Sequence, residues 1–173
     1  ILASLKNSGP YVGAIAKSSL PIAPLAGLEM ARKTPGAAAS SAVDKALAMK
    51  HPIALSYTLQ TAEDDIKKLG AKADFYVKPL LKFIDSVEPD TNRMTHMHLM
   101  ASKATTLLMD MGTPQAVSGV RNILGRRYSA TTRSAAAGLL RTKNKAACPI
   151  ATKLLQSPYP ELQTYGALTL GHF

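Results

Sequence analysis

The chain has 173 residues, of which 46% are hydrophobic and 18% are charged, and it holds no Trp and a single Cys. This length is enough for one domain or for one short array of repeats. The lone Cys148 excludes an internal disulfide framework and a cysteine-based zinc site. We interpret it as a small buried hydrophobic residue.

The net charge of +10 and the sequence pI near 9.8 predict an acidic partner, which could be nucleic acid, an anionic membrane surface or an acidic protein. The excess is uneven along the chain. Residues 91–173 hold 10 Lys and Arg against 2 Asp and Glu, whereas residues 51–90 hold more acids than bases. No uncharged apolar run reaches the length of about 18 residues that a transmembrane helix needs.

Gly and Pro interrupt every apolar run near the start of the chain, and the first 28 residues hold no acid. We therefore predict an extended basic arm over residues 1–37 that lies on a partner. A targeting segment and a folded element are the alternatives. Because the chain begins at Ile1, we expect a processed or truncated start.

Residues 38–90 are predicted to form a helical segment with helices over 38–49, 53–69 and 73–87. Gly70 is a natural helix stop, and Pro79 predicts a kink or a restart in the third helix.

From residue 91 the chain predicts five helices, separated by turns that contain Gly, Pro or Tyr. Their ranges are 91–110, 115–124, 129–141, 146–155 and 161–173. The pattern repeats every 31 residues. Residues related by this period include Leu108, Leu139 and Leu170; Ala104 and Ala135; Ala136 and Ala167; Ile123–Leu124 and Leu154–Leu155; and Tyr128 and Tyr159. Because one such helix pair cannot bury its apolar face alone, neighbouring pairs must stack on it.

Residues 129–173 resemble the short HEAT repeats of the phycobilisome-lyase type, in which a polar residue precedes an Ala-rich helix and a Leu-Leu helix follows. The matching residues are Arg133, Ala135, Ala136, Leu139, Leu154, Leu155 and Leu170–Gly171. The resemblance implies an all-α, HEAT/armadillo-like α-solenoid of antiparallel helix pairs over residues 91–173. The sequence departs from the family where Lys143-Asn144-Lys145 replaces the usual Asp-Pro connector.

No pattern in the chain predicts a catalytic residue, a metal site or a cofactor. His96 and His98 lie two residues apart, which places them on different sides of a helix. The glycines form no phosphate-binding or dinucleotide motif. Met94, Met97 and Met100 share one helix face, which predicts core packing or an adaptable protein-binding face.

The strongest functional signal is a set of basic residues between positions 121 and 153, a stretch without any Asp or Glu. The set comprises Arg121, Arg126, Arg127, Arg133, Arg141, Lys143, Lys145 and Lys153. Several lie in predicted turns, so we interpret them as partner-binding rims; an ordinary solvated face is the alternative. Arg126 and Arg127 are predicted on one rim and Arg141, Lys143 and Lys145 on the other. With few aromatic residues nearby, stacking on a single strand of nucleic acid is poorly supported.

These features predict a non-catalytic scaffold or assembly subunit of a large complex, with other protein subunits as partners. An anionic lipid surface is a further candidate partner, and nucleic acid is a weaker one. The Ala-rich, basic style is similar to accessory subunits of mitochondrial membrane complexes such as the ATP synthase peripheral stalk of green algae. That likeness implies a mitochondrial protein, soluble or peripheral to the inner membrane. The alternatives are an RNA-contacting subunit of an organellar ribosome and a HEAT protein of the lyase or chaperone type.

Overall fold

The computed structural model describes residues 23–33, 36–87 and 95–173, and within these ranges the chain is helical and forms no strand. The predicted all-α class is confirmed. The chain divides into two compact units, one before and one after the Pro79–Leu80 bond. Among the described helices, none is both long enough and apolar enough to cross a membrane.

The first unit contains three α-helices and a 3₁₀ helix, and a fourth α-helix spans the division. They are α1 (Ala23–Ala31), α2 (Ala37–Ala48), α3 (Pro52–Leu69), the 3₁₀ helix Gly70–Tyr76 and α4 (Val77–Asp85). α1 packs against α2 and α3, and α2 packs against α3. The interruption expected at Pro79 comes earlier, in the 3₁₀ helix, where Ala73 leaves helical geometry.

The extended arm predicted over residues 1–37 is corrected where the structure describes it, because residues 23–31 form α1. Pro24 lies in the first turn of α1, where a missing N–H costs no helical hydrogen bond. The side chain of Leu28 is fully buried, so α1 contributes to the core of this unit. Residues 1–22 and 34–35 lie outside the described ranges.

A buried carboxylate holds α1, α3 and the 3₁₀ helix together in the first unit. Asp65 is 5% exposed and accepts hydrogen bonds from Arg32 Nε at 2.9 Å and from Arg32 Nη2 at 2.6 Å. It also accepts a bond from the Tyr76 hydroxyl at 2.7 Å. A buried carboxylate is costly unless it is paired in this way, so all three residues depend on one another.

The second unit contains the helices that the 31-residue period predicts. They are α5 (His96–Met111), α6 (Pro114–Leu124), α7 (Ala130–Leu139), the 3₁₀ helix Lys145–Ala147, α8 (Cys148–Leu154) and α9 (Pro160–Gly171). Residues 91–94 of the first predicted helix lie outside the described ranges. α5 packs against α7, and α7 packs against α9, so these three alternate helices form a row. α6 contacts both α5 and α7, and α8 contacts α9.

The predicted boundary between residues 90 and 91 differs from the observed division after Pro79. The reason is that the end of α4 and the residues after it are bonded to α7 and to the turn before α7. Asp85 forms an ion pair with Arg126, and the carbonyl oxygen of Val87 accepts a hydrogen bond from Thr131 at 3.1 Å. The sequence pattern places residues 80–90 in the preceding segment, because these residues do not follow the 31-residue period.

α7 approaches α5 so closely that Gly138 has no room for a side chain. A Cβ atom there would overlap the carbonyl oxygen of Ser102 and the side chain of Thr105. At the same point the Thr106 hydroxyl donates a hydrogen bond to the carbonyl oxygen of Gly138 at 2.9 Å. Backbone contact of this kind leaves α7 little freedom to shift along α5.

Replacing Tyr76 with Phe should lower the free energy of unfolding by about 1–3 kcal/mol, because Asp65 loses a buried donor. The matched control is Tyr57→Phe, whose hydroxyl bonds to Glu29 in an exposed position and whose loss should cost less. Urea denaturation of both variants measures the difference. An equal loss of unfolding free energy in the two variants would show that the hydrogen bond to buried Asp65 contributes no more than an exposed one.

Burial and the Asp65 hydrogen bond raise the pKa of Tyr76 above the ordinary value of 10.0. The folded state therefore keeps the phenolic proton at a pH where the unfolded chain releases it. Below pH 10 the titration of Tyr76 adds no pH dependence to the free energy of unfolding. Above pH 10 that free energy should fall by up to about 1.4 kcal/mol per pH unit. Denaturation between pH 8 and about 11 should show a shallower alkaline loss for Tyr76→Phe than for the wild type.

Gly138→Ala should destabilise the protein by about 1–3 kcal/mol or more, since the new methyl group meets backbone atoms that cannot move aside. Gly171→Ala is the matched control, because a Cβ at this α9 position meets nothing within 4 Å. There the substitution should be neutral or stabilising by up to about 1 kcal/mol. Thermal denaturation of the two variants gives the comparison, and a neutral Gly138→Ala would contradict the close approach.

Candidate functional site

The turn between α6 and α7, residues 125–129, holds two of the predicted basic residues in place. Arg126 Nη1 lies 2.6 Å from Asp85 Oδ1, although both side chains are well exposed. At the end of the turn, the Ser129 N–H donates to Thr132 Oγ1 at 2.8 Å, and Ser129 Oγ accepts from the Thr132 N–H. This capping box fixes the residue at which α7 begins, and therefore the position of the turn that carries Arg126 and Arg127.

The two tyrosines related by the 31-residue period stack on each other. The ring centroids of Tyr128 and Tyr159 lie 4.6 Å apart with planes inclined by 23°. The Tyr128 hydroxyl donates a hydrogen bond to Glu161, which raises the pKa of Tyr128 above its ordinary value. The contact joins the turn before α7 to the turn before α9.

Arg133, predicted as a partner-binding residue, is half-buried and faces this same cluster. Its Nε lies 3.8 Å from Glu161 Oε1, too far for a hydrogen bond, and this buried N–H donates to no acceptor among the described residues. The structure thus separates Arg133 from the exposed members of the basic set.

Four predicted basic residues meet at one groove of about 620 Å³. Arg121, Arg126, Arg127 and Lys153 line it, and all four are exposed. Leu124, Ile150, Leu154, Leu162 and Tyr159 are among the residues that form its apolar lining. Among the residues that the structure describes, no Asp or Glu lines this groove, which we call the cationic groove.

A second cavity of about 620 Å³ shares Arg126 and Arg127 with the cationic groove. Its lining includes Asp85 and the hydroxyl residues Ser129, Thr131 and Thr132. The carboxylate of Asp85 already neutralises Arg126 on this side. Arg121, Arg127 and Lys153 have no ion-pair partner among the described residues, so their positive charge is left in the cationic groove.

The remaining basic residues, Arg141, Lys143 and Lys145, are exposed and follow the other end of α7. Thr142 donates a hydrogen bond to Asp110 at 2.5 Å, and Asn144 Nδ2 donates to the carbonyl oxygen of Met109 at 2.8 Å. These bonds fasten the turn to the end of α5. Because α7 has 10 residues, the two basic groups lie at opposite ends of a helix about 15 Å long.

His98 has a structural part at the start of α5. His98 is buried, and its Nδ1 accepts a hydrogen bond from the Thr95 N–H at 3.1 Å, capping the start of α5. Among the described residues, no group of three or more His, Cys, Asp or Glu side chains is arranged to hold a metal ion. Cys148 is half-buried at the start of α8. Met97 and Met100 are half-buried, and Met94 lies outside the described ranges.

Comparison with protein-family models, with curated proteins and with solved structures found no match. The likeness to HEAT repeats therefore remains an expectation from the sequence.

Sequence reasoning found the basic residues but missed the acids that hold some of them. Asp85 lies 41 residues before Arg126, and Glu161 lies 28 residues after Arg133, so no local pattern joins the partners. The repeated tyrosines were a usable signal, because residues at the same position of successive repeats tend to be neighbours in stacked units.

Replacing Arg121, Arg127 and Lys153 together with Gln should change the free energy of unfolding by less than about 1 kcal/mol. None of the three has an ion-pair partner among the described residues. Their mutual repulsion and their attraction to helix ends should largely offset each other. The comparison is Thr142→Val, which removes two hydrogen bonds of a buried hydroxyl and should cost about 1–3 kcal/mol. Urea denaturation measures both variants. If the Gln variant loses more unfolding free energy than the Thr142→Val variant, these cations have a structural role.

Proposed function

We propose that residues 96–171 form a HEAT-like solenoid of antiparallel helix pairs, and that the chain is a non-catalytic scaffold or assembly subunit of a larger complex. The observation that carries the proposal is a set of contacts between residues about one repeat apart. Thr106 bonds to Gly138, Asp110 to Thr142, and Tyr128 stacks on Tyr159. Such neighbour-to-neighbour contacts are typical of stacked repeats.

The distribution of exposure along the array supports a role in binding proteins. Leu124 is buried in the second unit, while Leu155, at the same repeat position in the next pair, is 41% exposed. Leu168 on α9 is 49% exposed. Exposed leucines beside an array of stacked helices offer apolar contact to another polypeptide.

The two basic groups at opposite ends of α7 support separate contacts with acidic surfaces. A tracked nucleic-acid backbone would favour one continuous stripe, whereas these groups are separated by the length of the helix. Each exposed charge contact is worth roughly 0–1 kcal/mol, and together they steer association. A mitochondrial membrane complex, with the ATP synthase peripheral stalk as the leading example, is the assembly in which we would search first.

Charge reversal of Arg126 and Arg127 to Glu should weaken incorporation of the tagged full chain into its parent complex and leave the helical circular dichroism spectrum unchanged. Affinity isolation from the native source in mild detergent, followed by mass spectrometry, measures which proteins remain bound. The wild-type chain should bring down a defined set of protein subunits. Recovery of ribosomal RNA with ribosomal proteins would replace the scaffold proposal with the organellar-ribosome alternative.

A further inference from the structure

The cationic groove has the chemistry of a peptide-binding site and not only of a charged surface. Its exposed cations come from three places in the chain: Arg121 from the last turn of α6, Arg127 from the following turn, and Lys153 from the last turn of α8. Stacking of the two helix pairs brings them to one groove. No carboxylate from the described part of the chain lines it, so their charge is left for a ligand.

The apolar lining sets a second requirement on that ligand. Leu124, Leu154 and Leu162 line the groove with the small part of each side chain that stays exposed, and the ring of Tyr159, which is 38% exposed, forms part of the wall. A volume of about 620 Å³ lies within the range of roughly 300–1,000 Å³ typical of ligand pockets. A free phosphate ion would leave most of this volume and all of the apolar lining unused.

Nucleic acid fits the groove less well than a peptide. Tyr159 is the one aromatic residue that lines it within the described ranges, and one face of that ring is covered by Tyr128. Binding of single strands relies on several stacked bases along a basic channel. A peptide needs no stacking and can supply both carboxylates and apolar side chains.

We infer that the cationic groove binds a short acidic segment of a protein partner, in which at least one apolar side chain accompanies two or more carboxylates. The inference rests on the proposed scaffold function and names the partner chemistry for it. The carboxylates would pair with Arg121, Arg127 and Lys153, and Arg guanidinium groups can take a carboxylate through two parallel hydrogen bonds. The apolar side chain would cover the leucine lining.

The test uses the full chain and a fluorescein-labelled peptide of about ten residues that contains Glu and two Leu, sized to the groove. The groove variant carries Arg121→Glu, Arg127→Glu and Lys153→Glu. The matched control variant carries Arg141→Glu, Lys143→Glu and Lys145→Glu, which makes the same change in net charge at the other end of α7. Fluorescence anisotropy measures the affinity, and circular dichroism checks that both variants are folded.

The groove variant should lose affinity by about tenfold or more, and the control variant by about twofold or less. A peptide of equal charge with Ser in place of both Leu should bind several-fold more weakly than the Leu peptide. Equal losses in both variants would overturn the inference, because the binding would then follow net charge alone. Failure of the wild-type chain to bind the peptide at about 1 mM would also overturn it.

Three further outcomes separate this inference from the proposed function. If an oligouridine of about ten nucleotides binds more tightly than the peptide and is lost in the groove variant, the groove is an RNA site and the peptide inference fails. If the tagged groove variant isolates the same protein subunits as the wild type and the control variant does not, the scaffold function stands and the groove is not its contact. If the peptide binds as expected but no protein co-purifies with the wild type, the peptide site stands and the scaffold function fails.

Discussion

The close packing of α7 on α5 is the constraint on which the arrangement of the second unit depends. Gly138 brings the two backbones together, and Ala104 and Ala135 are fully buried within the same pair of helices. Small residues at this contact fix the position of α7, and both turns that flank α7 follow from it. Arg126 and Arg127 lie in the turn before α7, and Lys143 lies in the turn after it. The packing of α7 on α5 therefore determines where these positive charges lie on the surface.

The first unit is held by a different interaction, the pairing of buried Asp65 with Arg32 and Tyr76. A buried carboxylate adds little net stability over an apolar core, but it penalises any arrangement that leaves the carboxylate unpaired. It therefore specifies how α1 and the 3₁₀ helix meet α3. The second unit uses close helix packing for the same purpose, together with the hydrogen bond from the Thr106 hydroxyl to the carbonyl oxygen of Gly138.

Positive charge in the second unit is partly used within the fold and partly left for other molecules. Arg126 is paired with Asp85, and Arg133 lies beside Glu161. Arg121, Arg127 and Lys153 have no such partner among the described residues, although they share one groove. Like charges held together without compensation raise the energy of the unbound protein, and this is a common property of binding sites.

The sequence by itself determined the helices of residues 96–171, their 31-residue period and the identity of the basic residues, because apolar spacing, Gly, Pro and capping residues act locally. It predicts an arm where α1 forms, because Pro usually breaks helices, but Pro24 lies in the first turn of α1, where Pro is tolerated. Only the tertiary structure decided that α4 belongs mostly with the second unit, that Asp65 lies between Arg32 and Tyr76, and which cations share a groove. These outcomes depend on contacts between residues 28 to 44 positions apart, or 11 positions apart across a helix break, and no local pattern encodes such pairs.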